Sequence, residues 1–187
     1  MKNVLNRTYK GFTIIEVMIV LAIAGLIMVI VFFAIPQLQR NQRDNTRQSV
    51  ATRFGAEMET YAGNNQGVYP FSGVTGSFVE CPNITTAPNP CGGGTGFMTR
   101  YITGASPPVN IVDPSTGNNT RFFVANATAA SVPTITWARG DAWIVVGGQC
   151  QGENIQPSGT AGGPTSKRYA IQISLDRNNT FYCVDHG

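Results

Sequence analysis

His186 is the only histidine in the 187 residues, and this alone narrows the proton-transfer chemistry open to the chain. It stands one residue from the end of the sequence, where a tail is expected to fray. Neither a Ser-His nor a Cys-His pair therefore has a credible base. "CGGGTG" at Cys91–Gly96 lacks the Lys-Ser/Thr of a phosphate loop and reads as a flexible loop. "DPSTGNN" at Asp113–Asn119 offers oxygen ligands of the kind calcium takes, but Asp-Pro and Thr-Gly are stronger turn signals. The expectation is a protein that is not an enzyme and holds no metal and no cofactor.

Four cysteines remain, Cys81, Cys91, Cys150 and Cys183. None forms the CxxC spacing of a zinc or redox site. An even number behind an export-type segment points to two disulfides in an oxidising compartment. Three pairings are possible and the sequence does not choose among them. Cys81–Cys91 and Cys150–Cys183 would each close a loop between neighbouring segments. Asn-x-Thr sequons at Asn83, Asn118, Asn126 and Asn178 are expected by chance on so Asn/Thr-rich a surface, and leave glycosylation open.

The sharpest chemical signal is a single carboxylate. Glu16 sits in "YKGFTIIEVMIVLAIAG", and from Phe12 to Ile35 nearly every other residue is apolar. A helix over that stretch would be about 36 Å long at 1.5 Å per residue, enough to cross a hydrocarbon core of about 30 Å. Lys2, Arg7 and Lys10 precede it with no acid among them, so the positive-inside rule places the N-terminus in the cytoplasm. Ordinary signal-peptide cleavage after Ala22-x-Ala24 would leave "GLIMVIVFFAI" as a greasy new end on an exported protein. A plain membrane anchor leaves Glu16 unexplained, because a charge in the bilayer costs up to about 2.5–3.5 kcal/mol on insertion scales.

Lys10-Gly11-Phe12-Thr13-Ile14-Ile15-Glu16, followed by the apolar run, resembles the class III signal of type IV pilins and their relatives. The resemblance covers about the first 25 residues. It implies that a prepilin peptidase cuts between Gly11 and Phe12 and that the new Phe12 amine is methylated. Glu16 then becomes the fifth residue of the mature chain, where the family places its glutamate. Paired with the Phe12 amine of a neighbouring copy, Glu16 would act as an assembly key, setting register more than adding net stability.

The elements that must present this signal follow from composition. The implied organisation is a leader at 1–11, an apolar helix at 12–36, an amphipathic helix at 37–64 and a globular head at 65–187. Pro36 is expected to kink or loosen the helix without ending it. Val50, Phe54, Met58 and Tyr61 mark the face that a sheet should cover. Arg40, Arg43, Asp44, Arg47, Arg53, Glu57 and Glu59 mark the opposite face, read as solvated or as bridging copies, with Arg40–Asp44 and Arg53–Glu57 as i,i+4 pairs. Candidate strands are Phe97–Ile102, Arg121–Asn126, Thr134–Ala138 and Ala142–Gly147. A hairpin is expected around Asp141, and another joins "RYAIQISL" to "TFYCV". The fold class is α+β, a long helix against an antiparallel sheet. Relatives often carry a C-terminal disulfide, and a Cys150–Cys183 clip would contribute roughly 3 kcal/mol.

Beyond Gly11 the basic and acidic residues balance, so a dedicated nucleic-acid binder is disfavoured. The resemblance implies a subunit stored in the inner membrane and then assembled into an extracellular type IV pilus. Its partners would be copies of itself, the prepilin peptidase, and the assembly ATPase with its platform protein. A surface ligand or DNA would join these in adhesion, twitching motility or DNA uptake. The nearest alternative is a pseudopilin of a type II secretion or competence system. A monomeric anchored binding module or enzyme is the rival from another class.

Overall fold

A computed structural model describes residues 11–71, 79–81, 97–126, 138–157, 167–177 and 179–186. It divides into two units, Met1–Arg40 and Asn41–Gly187. One helix, α1 (Ile14–Asn64), runs from the first unit into the second and is continuous through Pro36. It stops where Gly67 adopts a φ of 79° and donates its N–H back to the Ala62 carbonyl at 2.8 Å. This is the left-handed reversal that glycine permits at a helix end.

In the second unit, α1 buries Val50, Phe54 and Met58, with Tyr61 half-buried, as the periodicity requires. The strands are β1 (Val79–Cys81), β2 (Phe122–Asn126), β3 (Ala142–Val146), β4 (Gly148–Gln151), β5 (Asn154–Pro157), β6 (Tyr169–Ser174) and β7 (Phe181–His186). A five-stranded sheet has the order β1-β2-β3-β6-β7, and β4 pairs with β5. The α+β class is the one expected. One pair departs from the antiparallel pattern: β2 runs parallel to β3, with Phe122 opposite Ala142. A parallel pair needs a long crossover, here residues 127–141, and no local signal announces that.

The two faces of the sheet are both covered. Phe122, Val124, Ile144, Ile171 and Ile173 meet α1, and Phe54 stacks on Phe122 at 4.7 Å between ring centroids. On the other face Phe123, Ala125, Trp143, Val145 and Ala170 form a second cluster with Ile155 of β5. Consequently β6 is buried at all six positions, although its sequence alternates. The alternation identified the α1-facing side. The β4–β5 hairpin that buries the other side has no comparable apolar run.

One expected strand and one expected hairpin are not formed as read. Phe97–Ile102 belongs to a π-helical turn, Phe97–Thr103. Its buried residues are Phe97 and Ile102, with Met98 and Tyr101 packed at the margin. That spacing belongs to a turn of helix, not to an alternating strand. The hairpin around Asp141 also fails, because β3 has β2 on one edge and β6 on the other. Residues 134–137, its proposed first arm, lie outside the described residues.

Close approach of α1 to the sheet requires Gly55. A Cβ there would stand 2.9 Å from the Tyr169 hydroxyl oxygen, which donates to the Gly55 carbonyl at 2.9 Å and to Glu59 Oε1 at 3.0 Å.

Candidate functional site

The chemistry of the first unit is concentrated at the start of α1. Gly11 and Phe12 precede the helix without regular structure. Nothing approaches within 4 Å of a Cβ built at Gly11, and Phe12 is 85% exposed. The Gly11–Phe12 bond thus lies on an unencumbered, non-helical segment of the kind a protease must grip. The leader, 1–10, is outside the described residues.

Helix α1 begins at Ile14 behind Thr13, whose Oγ1 accepts the Glu16 backbone N–H at 3.4 Å. Thr13-x-x-Glu16 is the spacing of a capping box, and its carboxylate sits where the helix N-terminus favours negative charge. The Thr13 half of such a box is formed through the Glu16 backbone N–H, and the T-x-x-E spacing is the signal for it. From Phe12 to Leu38 the helix surface is exposed throughout, and an 18-residue window reaches a mean hydropathy of 3.2 with none of it buried. Glu16 is the only charged side chain in that stretch. A continuous apolar surface of this size demands lipid or protein cover.

The second unit holds an ion cluster that corrects the solvated-face expectation. Arg47 is 1% exposed. Its Nε donates to Asp113 Oδ2 at 2.7 Å, its Nη1 to Asp176 Oδ1 at 3.1 Å, and its Nη2 to Ser115 Oγ at 2.9 Å. Arg43 joins from one turn earlier, with Nη2 at 2.6 Å from Asp176 Oδ2. Asp44 accepts the Asp176 backbone N–H at 2.7 Å and lies 3.4 Å from Arg47 Nη1. The (i,i+3) pairing of Asp44 with Arg47 thus takes the place given to an Arg40–Asp44 pair, and Arg53 donates to the Pro107 carbonyl. These side chains fasten α1 to the 113–116 turn and to the turn between β6 and β7. In "DPSTGNN" the Asp113 carboxylate also accepts the N–H groups of Ser115 and Thr116. Its oxygens are engaged by a guanidinium and a turn.

Burial by itself would raise the Asp113 pKa. The Arg47 and Ser115 hydrogen bonds and the Arg47 charge outweigh it and hold the group at about 2. Asp176 is likewise lowered, against its own burial, by Arg43 and Arg47. A folded pKa below the unfolded value of about 3.9 gives stability that is present above that value and lost as pH falls through the folded one. Between pH 5 and pH 2 the second unit is therefore expected to lose about 2 kcal/mol through Asp113. Urea midpoints of the full chain in detergent measure this, and Asp113→Asn should flatten that part of the profile.

His186 is not frayed. It pairs with Tyr169 in the sheet, places Nδ1 3.0 Å from Glu59 Oε1, and stacks its ring on Tyr169. With Tyr69, Lys167 and Gly63 it lines a shallow hollow of about 390 Å³. Burial, then the nearby Glu59 charge, raises the pKa of both Tyr69 and Tyr169. Both phenols stay protonated, and Tyr169 donates to the Gly55 carbonyl and Glu59. Among the described residues no group of three or more His, Cys, Asp or Glu is placed to hold a metal.

Of the cysteines, Cys150 and Cys183 form a disulfide with Cα atoms 5.9 Å apart. Cys81 lies in β1 opposite Phe122. Cys91 is outside the described residues, and so is any Cys81–Cys91 bond.

Residues 6–32 match the model of the prokaryotic N-terminal methylation motif. No curated protein and no solved structure matches the chain.

Proposed function

From a chain that carries the class III signal of type IV pilin-like proteins at residues 6–32, we propose that this protein is a structural subunit of a type IV pilus. It is stored as a single-pass membrane precursor and polymerises through the apolar part of α1 into an extracellular filament. The observation that carries this reading is the exposed apolar helix, whose lone charge, Glu16, stands four residues beyond Phe12. The motif and the apolar helix are consistent with a membrane-anchored precursor.

Cleavage between Gly11 and Phe12 by a prepilin peptidase leaves the whole helix on the mature chain and frees an amine on Phe12, which is then methylated. That amine supplies the cation that Glu16 needs when lipid and neighbouring helices exclude water. Assembly draws on an ATPase and its platform protein, and the second unit forms the fibre surface used in adhesion, twitching motility or DNA uptake. No catalytic role is assigned to the chain, and no cofactor.

Mass spectrometry of the mature protein tests the first step, with methyl-Phe12 expected as residue one. An intact Met1 would leave only a plain anchor. Shearing cells and probing the released material with antibody to the second unit tests the second step. The protein should appear in detachable fibres. Correct processing without such fibres would favour the pseudopilin alternative, which has the same N-terminal chemistry.

A further inference from the structure

Strand β7 is held differently from the rest of its sheet. Among the described residues it is an edge strand, paired with β6 on one side. Phe181–Val184 are half-buried and Asp185 and His186 are exposed, whereas every residue of β6 is buried. Three fasteners cluster on its last four residues. Cys183 is bonded to Cys150 of β4. Asp185 Oδ2 accepts the Cys150 backbone N–H at 2.8 Å, and His186 meets Glu59. Two of the three tie β7 to the β4–β5 hairpin, the thin layer that covers the far face of the sheet through Ile155.

The α1 side takes only the third of them, His186 against Glu59. Val50, Phe54 and Met58 pack with Phe122, Val124 and Ile144, and all six are buried. Tyr182 and Val184 of β7 reach that core only at its margin. Cooperative units of a fold separate where buried apolar contact is thinnest, and β7, although fully paired with β6, adds only partly buried side chains to either core cluster.

We propose that β7 and the β4–β5 hairpin form a separable latch, locked when Cys150 and Cys183 are oxidised and released when a dithiol reduces them. The exchange balances simply. A thiolate of the dithiol attacks one sulfur of the bond, its second thiol displaces the mixed disulfide, and two electrons and two protons pass to the cysteine pair. The dithiol leaves as its own cyclic disulfide. Release frees the β6 edge, whose backbone donors and acceptors pair with β7 while the latch is closed. This inference stands independently of the filament reading.

Hydrogen exchange of the full chain in detergent tests it. One sample is folded oxidised and then treated with dithiothreitol. The other is C150S/C183S, which leaves Cys81 and Cys91 untouched. Losing a cross-link that spans 33 residues should speed exchange of amides in 148–157 and 181–186 by at least about 100-fold. Amides in 47–62 and 142–146 should keep their rates. Unchanged exchange in the two latch segments would overturn the proposal. So would equal acceleration everywhere, since the bond would then staple the whole second unit. If the double variant fails to accumulate, the reduced natural chain gives the same decision.

Discussion

Replacing Arg47 with Met is expected to destabilise the second unit by about 3–5 kcal/mol, the range found when one partner of a buried ion pair is removed. The reason lies in what remains behind. Asp176 keeps Arg43, whose Nη2 is 2.6 Å from it. Asp113, 3% exposed, loses the Arg47 guanidinium that sits 2.7 Å from it. Its carboxylate then keeps the Ser115 and Thr116 donors but loses the Arg47 charge. A methionine of similar length fills most of the volume, so the loss reports charge and hydrogen bonding more than a cavity.

Two controls separate this from a packing defect. Arg47→Lys should recover only part of the stability, because one ammonium cannot span Asp113, Asp176 and Ser115 as the guanidinium does through three nitrogens. In a double-mutant cycle with Asp113→Asn, Arg47→Met should cost much less, giving a coupling of about 1–3 kcal/mol. Denaturant midpoints in detergent provide all four corners. A solvated Arg47 would give no more than about 0.5 kcal/mol in each case, and that result would remove the ion cluster from the account of how α1 is held.

Arg47 also shows where sequence reading stops. Arg47 lies three, seven and eleven residues before Val50, Phe54 and Met58, so helical spacing already continues the buried stripe through it; its charge, not its position, led to the solvated-face assignment. Periodicity reports that Arg47 faces inward but not which distant loops bring the acids that let it do so. The 113–116 turn and the turn after β6 supply the missing acids, and both were legible only as turns. The same limit explains Phe97–Thr103, where aromatic content suggested a strand and burial at a five-residue interval made a helical turn. It explains β4–β5 as well, since a hairpin with a single large apolar anchor, Ile155, leaves no period to detect. Local signals served well where the structure is itself local: the apolar half of α1, the Val50–Phe54–Met58 stripe, the β6–β7 hairpin, and the reversal at Gly67. Cys150–Cys183 became unambiguous only when β4 was brought against β7.

The N-terminal signal is the opposite case, almost entirely local and readable in one pass, yet it carries two explanations of Glu16 that must be separated. As the fourth residue of a capping box, Glu16 would contribute through its reach toward the helix start. Glutamine serves that role as well as glutamate does. As the partner of a neighbour's Phe12 amine, it contributes through charge, which glutamine lacks. Glu16→Gln and Glu16→Ala should both insert at least as well as the natural chain, because each removes a charge from lipid. Both should also be cut after Gly11. If charge pairing sets the register, both variants should yield at least about tenfold less sheared fibre, equivalent to ~1.4 kcal/mol per subunit. If capping is the whole role, Glu16→Gln should polymerise normally and only Glu16→Ala should fail. Quantifying the membrane-bound precursor, the processed subunit and the sheared fibre in each strain distinguishes these outcomes. A normal fibre yield from Glu16→Gln would show that the acid is kept for the helix and not for its neighbour.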